Sequence, residues 1–424
     1  RDLVRSRGLG DVYKRQAKNM RKQLSLLLVS ISLGWVGCAP DKQADPIHLD
    51  RQLEYCDAQI RRTLNEADQD SCLMPRSMEA NQTSWNMSNI YDWTSGFWPG
   101  ILWYDYEATG NEEIKAQAIC YTECLFPLVT SAHSADHDIG FQIFCSFGNA
   151  YRMTGNQEYK AAILKGAEKL AKLYNPKVGT ILSWPGMVKR MGWPHNTIMD
   201  NMMNLEILFW AARNGGGQEL YDMAVKHAET TMKYSFREDG GNYHVAVYDT
   251  IDGHFIKGVT NQGYGDSSLW ARGQAWAIYG YMMVYRETKD KTFLRFAEKV
   301  TDFYLENLPE DYIPYWDFDA PDMMKQPKDA SAAAIAASAL IELSELEDTP
   351  SLASRYWNAA VRMLEELSSE RYQCRDAKPA FLMHSTGNHP GGYEIDASIN
   401  YADYYYLQAL LKYKKAKGVM ANSK

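Results

Sequence analysis

The chain has 424 residues, 46% of them hydrophobic, more than a folded module needs to bury a core. Its 45 Lys and Arg are scattered among 53 Asp and Glu without a basic block, and the net charge of −8 argues against nucleic acid as a partner. Aromatic residues make up 12%, with 12 Trp and 28 Tyr; such a share serves either a large helical core or platforms for sugar rings, and composition leaves both readings open.

Residues 1–19 show no periodicity and are expected to be a non-native extension ahead of Met20. In residues 20–38, Arg21 and Lys22 precede an apolar run over 24–34 and the box Trp35-Val36-Gly37-Cys38, which reads as a lipoprotein-type signal peptide. The run is shorter than the ~20 residues of a spanning helix, so a lipid anchor at Cys38 is the one membrane attachment expected. That places the protein outside the cytoplasm, in the periplasm or as an outer-membrane-anchored lipoprotein of a Gram-negative bacterium. Residues 39–48 read as a short tether. Residues 49–424 read as one domain, because no Pro/Ser/Gly linker or low-complexity stretch interrupts them.

Within that domain an aromatic-rich, weakly charged helix repeatedly ends at a short polar turn and is followed by an amphipathic helix. Copies fall at 102–109 with 113–125, 150–154 with 159–173, 205–213 with the helix to 234, 276–286 with 293–308, and 332–346 with 351–367. The C-terminal helix 401–414 would pair with 49–67 and close a ring. The first helix of each pair is expected inside and the second outside, facing water. Six such hairpins make an all-α (α/α)6 barrel, although an open solenoid would share the pattern. The periodicity breaks at 240–257, read as a short hairpin or irregular loop, and in the loops 258–266 and 387–392, where polar side chains can enter a cavity.

Beyond Cys38 the cysteines at 56, 72, 120, 124, 145 and 374 form no CxxC pair, and no His stands at metal-ligand spacing, so no structural zinc is expected. Cys120 and Cys124, one helical turn apart, read as core filling, and disulfides stay open.

Sugar chemistry commonly uses carboxyl groups, one of which must hold or give a proton, so acids at apolar helix starts stand out from solvated surface charge. Asp138 lies in His137-Asp138-Ile139-Gly140-Phe141 and Asp200 in Ile198-Met199-Asp200-Asn201-Met202-Met203-Asn204. Helix N-capping is the competing explanation for each. Asp92-Trp93-Thr94-Ser95-Gly96-Phe97-Trp98 opens another helix, and Trp270, Arg272 and Trp276 surround a further start. A guanidinium flanked by indoles suits a uronate carboxylate; pairing with a structural Asp is the alternative for Arg272.

These segments resemble the unsaturated glucuronyl hydrolases of glycoside hydrolase family 88, from about Leu49 to the C-terminus. The 62 positions between Asp138 and Asp200 are close to the separation of that family's catalytic aspartates. The resemblance implies an (α/α)6 barrel that removes the terminal 4,5-unsaturated uronic acid from lyase-generated glycosaminoglycan oligosaccharides by hydrating the C4=C5 double bond. It implies Asp200 as general acid/base and Asp138 as the second essential aspartate. His137, His244, Gln262 and Arg272 are carried over as polar substrate contacts, and Trp93, Trp184, Trp270 and Trp276 as aromatic walls, with no cofactor or metal. Two other readings are an unsaturated rhamnogalacturonyl hydrolase acting on pectin fragments, which the segment from Asp200 to Asn204 disfavours, and a non-catalytic glycan-binding lipoprotein, which would not need both acids. Asn388, His389 and Tyr393 are expected to influence the choice of glycosaminoglycan.

Overall fold

The computed structural model describes residues 45–66, 72–132 and 134–422, and residues 46–424 group into one compact unit. The readings for 1–19 and for the signal peptide with Cys38 lie outside the described residues. Among the described residues no helix is long and apolar enough to cross a membrane.

The expected hairpins form a closed ring. The inner helices are Phe97–Thr109, the run from Ile139 to Thr154, Asn201–Ala211, Ala271–Thr288, Ala330–Leu346 and Asn400–Asn422. Each packs on the next, and Asn400–Asn422 packs back on Phe97–Thr109, which excludes an open solenoid. Composition explains why they lie inside. Phe97–Thr109 is buried continuously from Phe97 to Asp105, and Ala330–Leu346 is buried from Ala330 to Ile341 with Ala at most positions, so its neighbours approach closely on every side.

The outer helices are amphipathic. In Lys291–Asn307 the buried set is Phe293, Leu294, Ala297, Val300, Thr301 and Tyr304, a single stripe at helical spacing. Leu49–Glu66 does the same job against the C-terminal helix. The turns between partners follow directly from sequence. Gly110 (φ 69°) and Gly155 (φ 68°) end their helices in the left-handed conformation that glycine adopts without strain, and the next residues, Asn111 and Asn156, cap the following helices through their side chains.

Several features depart from the repeat. The second inner helix carries a π turn at Phe144–Gly148, and the third runs into another at Ala212–Gly216. A three-stranded antiparallel sheet stands beside the ring: the hairpin Val245–Tyr248 and Phe255–Val259, expected from sequence, is joined by His195–Ile198, with His195 opposite Tyr248 and Ile198 opposite Val245. Cys124 does not fill the core as read; it bonds to Cys72, while Cys120 is exposed. Cys124 sits just past the end of Glu112–Glu123, where the chain preceding the strand Met74–Met78 reaches it.

Two cavities mark the ends of the ring. One of about 580 Å³ lies where the inner helices begin. The other, about 730 Å³, lies among their later turns. There Arg286 bridges Glu206, Glu287 and Glu342, which accounts for charged residues on otherwise apolar helices.

Candidate active site

The smaller cavity is bordered by Trp93, Asp138, Trp184, Asp200, Gln262 and Arg272, brought together from separate stretches of chain. Because the inner helices start here, their N-terminal ends aim partial positive charge at it, a setting that favours an anionic ligand. Helix starts were the weakest part of the sequence pattern. The first, fourth and fifth inner helices begin at Phe97, Ala271 and Ala330, a few residues before their readable repeats.

Asp138 and Asp200 occupy the N-cap positions of Ile139–Ile143 and Asn201–Ala211, yet neither side chain makes a capping hydrogen bond. Capping therefore does not explain them, and both carboxyl groups are left facing the cavity. Each has a buried histidine behind it. His137 Nε2 lies 3.5 Å from Asp138 Oδ1, with the Asn204 amide nitrogen 3.0 Å from its Nδ1. His244 Nε2 lies 3.8 Å from Asp200 Oδ2. The backbone N–H groups of Asn261 and Gln262 both donate to His244 Nδ1 at 3.2 Å, so that nitrogen is bare and the ring proton sits on Nε2, pointing at Asp200. Burial holds both imidazoles neutral, His137 down to about 3 and His244 well below its ordinary value.

The two acids differ in their surroundings. Burial, with the carboxylates of Asp136, Asp200 and Asp92 nearby, raises the Asp138 pKa well above the ordinary range. Asp200 is also raised by burial but is drawn back by the Arg272 charge, its own backbone N–H and the Trp276 indole, and settles at about 6. Burial thus favours the protonated form of Asp138, while Asp200 is poised to exchange its proton near neutral pH.

Arg272 is buried, and both terminal nitrogens are engaged. Nη1 donates to Asp329 Oδ2 at 3.0 Å and to the Thr386 carbonyl at 2.5 Å, and Nη2 to the Gly387 carbonyl at 2.6 Å. The pairing with a structural Asp is thus present, and Nε is the guanidinium nitrogen without a hydrogen-bond partner among the described residues. Gln262 adds a bond of 3.0 Å to the same Gly387 carbonyl. Together they pin the loop that carries Asn388 and Tyr393 to the cavity wall. His389 instead stacks on Trp316 at 4.2 Å.

Four of the expected contacts lie one layer back: His137, His244, Trp270 and Trp276 are buried and do not border the cavity. Trp270 packs on His244 at 4.3 Å and under the Arg272 guanidinium at 4.6 Å, while Trp276 packs on Phe141 at 5.4 Å. These indoles support the acid and its neighbours, and the walls open to a sugar are Trp93 and Trp184. The sequence reading missed Asp136, Asn261 and Arg190 on the lining. Asp136 is visible as a third acid two residues before Asp138, but nothing in the local pattern marks Arg190. Away from the cavity, the hairpin turn gathers Asp249, Asp252 and His254 with ligand-type atoms within 4.8 Å of one another, the latter two exposed.

A closed ring of six helical hairpins, with two buried, uncapping carboxyl groups at the helix starts, defines an (α/α)6-barrel glycoside hydrolase. Residues 68–343 match the Glycosyl Hydrolase Family 88 sequence model. The chain is 43% identical over 341 residues to an unsaturated glucuronyl hydrolase of Formosa agariphila, covering 79% of this chain and 83% of that protein. It is 35% identical over 328 residues to an unsaturated chondroitin disaccharide hydrolase of Streptococcus pyogenes, covering 76% and 82%. The crystal structure of an unsaturated glucuronyl hydrolase specific for heparin superposes with a TM-score of 0.82 at 40% identity, covering 87% of this chain and 98% of that one. The chain belongs to glycoside hydrolase family 88, among the unsaturated glucuronyl hydrolases.

Proposed function

We propose that this protein removes the terminal 4,5-unsaturated uronic acid from glycosaminoglycan oligosaccharides left by lyases, by adding water across the C4=C5 bond. The observation that carries the reading is the pair of acids on one cavity wall, both free of capping duty, with Asp138 raised by burial and its neighbouring carboxylates and Asp200 poised at about 6. In its acid form Asp200 gives its proton to C4, and positive charge develops at C5 and the ring oxygen. A water then bonds to C5 and returns a proton to the Asp200 carboxylate. The hemiketal so formed opens and releases the rest of the chain. A group with a pKa near the working pH serves both steps. Asp138, in the protonated form that burial favours, can donate to a ring hydroxyl and accept from one. The helix N-termini offset the uronate charge.

The substrate class rests on the relatives, one named for chondroitin disaccharides and one solved structure described as specific for heparin. Incubation with unsaturated disaccharides from hyaluronan, chondroitin sulfates and heparin, followed by the ultraviolet absorbance of the conjugated double bond, tests the reading. Loss of absorbance with wild type and none with Asp200→Asn is the expected result; folded wild-type protein that leaves every double bond intact defeats it.

The same proposal places the enzyme outside the cytoplasm, anchored through Cys38. Its support is the basic, apolar and Cys-terminated segment over 20–38, together with a Cys72–Cys124 disulfide that an oxidising compartment maintains. Metabolic labelling with a fatty acid, lost in Cys38→Ala, checks it.

A further inference from the structure

The cavity wall carries three acids, Asp136, Asp138 and Asp200, although the ligand proposed for it is itself an anion. Cations that could answer that charge are mostly engaged elsewhere. Arg272 is tied to Asp329 and two carbonyls, and Arg76, beneath the Trp93 segment, is held between Asp92 and Glu394. Arg190 differs: it borders the cavity, is exposed, and its side chain has no ion pair or hydrogen bond among the described residues.

Its position is also defined. Arg190 lies on Pro185–Met191, a short helix with no buried residue, preset at its start by Pro185 and ended by Gly192 in the left-handed conformation. The root of that helix is fixed, because the Asn196 side chain accepts from the Trp184 N–H at 2.9 Å and donates to the Trp184 carbonyl at 3.1 Å. Arg190 follows Trp184 by six positions, roughly 9 Å of helix rise. Both residues border the same cavity, so a sugar walled by Trp184 near the two aspartates leaves Arg190 within reach of the sugar bonded to it. Lys189 beside it is exposed and adds to the local positive charge.

We propose that Arg190 is a specificity-determining residue that binds an anionic substituent, of the sulfate-ester kind, on the sugar next to the unsaturated uronate. This rests on the hydration reading for the identity of the neighbouring sugar. The guanidinium offers two parallel N–H groups to such an oxyanion, and an exposed side chain gives up little hydration until the ligand arrives.

The test compares wild type, Arg190→Gln and Arg190→Lys on unsaturated disaccharides with and without a sulfate on the leaving hexosamine. In Arg190→Gln the KM for the sulfated substrate rises roughly 3- to 10-fold relative to that for the unsulfated one. The change falls on KM rather than kcat, and Arg190→Lys recovers part of it. Added salt weakens the wild-type preference and leaves the Gln variant flat. Equal KM ratios in wild type and Arg190→Gln overturn the proposal, as does an equal rise on both substrates, which would assign Arg190 to the uronate itself. Calorimetric binding of the sulfated disaccharide to Asp200→Asn, with and without Arg190→Gln, measures the same contact without turnover: weaker binding in the double variant supports the assignment, and equal binding overturns it. A failure of hydration is then distinguishable from a failure of this assignment.

Discussion

His244 and Asp200 face each other at 3.8 Å, Nε2 to Oδ2, and neither atom has a hydrogen-bond partner among the described residues. Since His244 Nδ1 is already an acceptor for two backbone N–H groups, the imidazole can only present a proton to the carboxylate, and burial keeps it from charging. It is therefore a positioning residue and not a second acid. The pH profile of kcat/KM should fall tenfold per unit above about 6, where Asp200 loses the proton it must give to C4. In His244→Leu the carboxylate loses the polar N–H that faces it at 3.8 Å, so the limb moves to higher pH while kcat drops. A limb that stays in place in the variant would remove His244 from this role.

Asp200→Asn should abolish catalysis yet stabilise the fold. Loss of a general acid/base lowers the rate by roughly 10²- to 10⁴-fold. The folded-state pKa of Asp200 is raised from 3.8 to about 6, so the stability it lends is complete below about 4 and is lost as pH rises through about 6. Asparagine does not titrate. At pH 8 the variant should exceed wild type by up to about 3 kcal/mol, and at pH 4 the gap should close. Thermal melts at both pH values read this directly, and a variant that melts lower than wild type at pH 8 contradicts it.

The ring was legible because its signals are local. Gly-Asn turns, alanine-rich inner helices and amphipathic outer ones each follow from side-chain chemistry within a few residues. The two aspartates were legible as acids where no solvent would reach them. Which residues touch the cavity was not. Trp270 and Trp276 look like Trp93 and Trp184 in sequence, and only the packing of helix starts puts the first two behind the wall. The strand His195–Ile198 escaped notice because four residues bounded by a short helix and a long one carry little period, and its pairing partner lies some fifty residues away. The same distance hid the Cys72–Cys124 bond.

Arg272 joins two things that chemistry could separate. Its terminal nitrogens hold the loop at Thr386 and Gly387, and its charge lowers the Asp200 pKa. Arg272→Lys keeps the charge and loses the fork. The variant should lose about 1–3 kcal/mol of stability and show a raised KM as the Asn388 and Tyr393 wall loosens, while the acid limb stays near the wild-type value. A limb displaced by as much as in His244→Leu would show that the fork, and not the charge, sets the Asp200 pKa.

The Cys72–Cys124 bond closes a loop of 52 residues that contains the strands Met74–Met78 and Asn86–Ser88, the Trp93 segment and the first hairpin. Tying its ends removes conformational freedom from the unfolded chain, worth about 4 kcal/mol for a loop of this length. Because the tie spans the segment that delivers Trp93 and the Arg76–Asp92 pair, its loss should loosen one wall of the cavity as well as the fold. Cys72→Ser with Cys124→Ser should therefore melt several degrees below wild type, with KM rising more than kcat falls. Wild type treated with a reductant should move to the same melting temperature, and the double variant should not respond to it. Equal melting temperatures for oxidised wild type and the double variant would mean that the bond contributes nothing to the barrel, and that export into an oxidising compartment has lost its structural support.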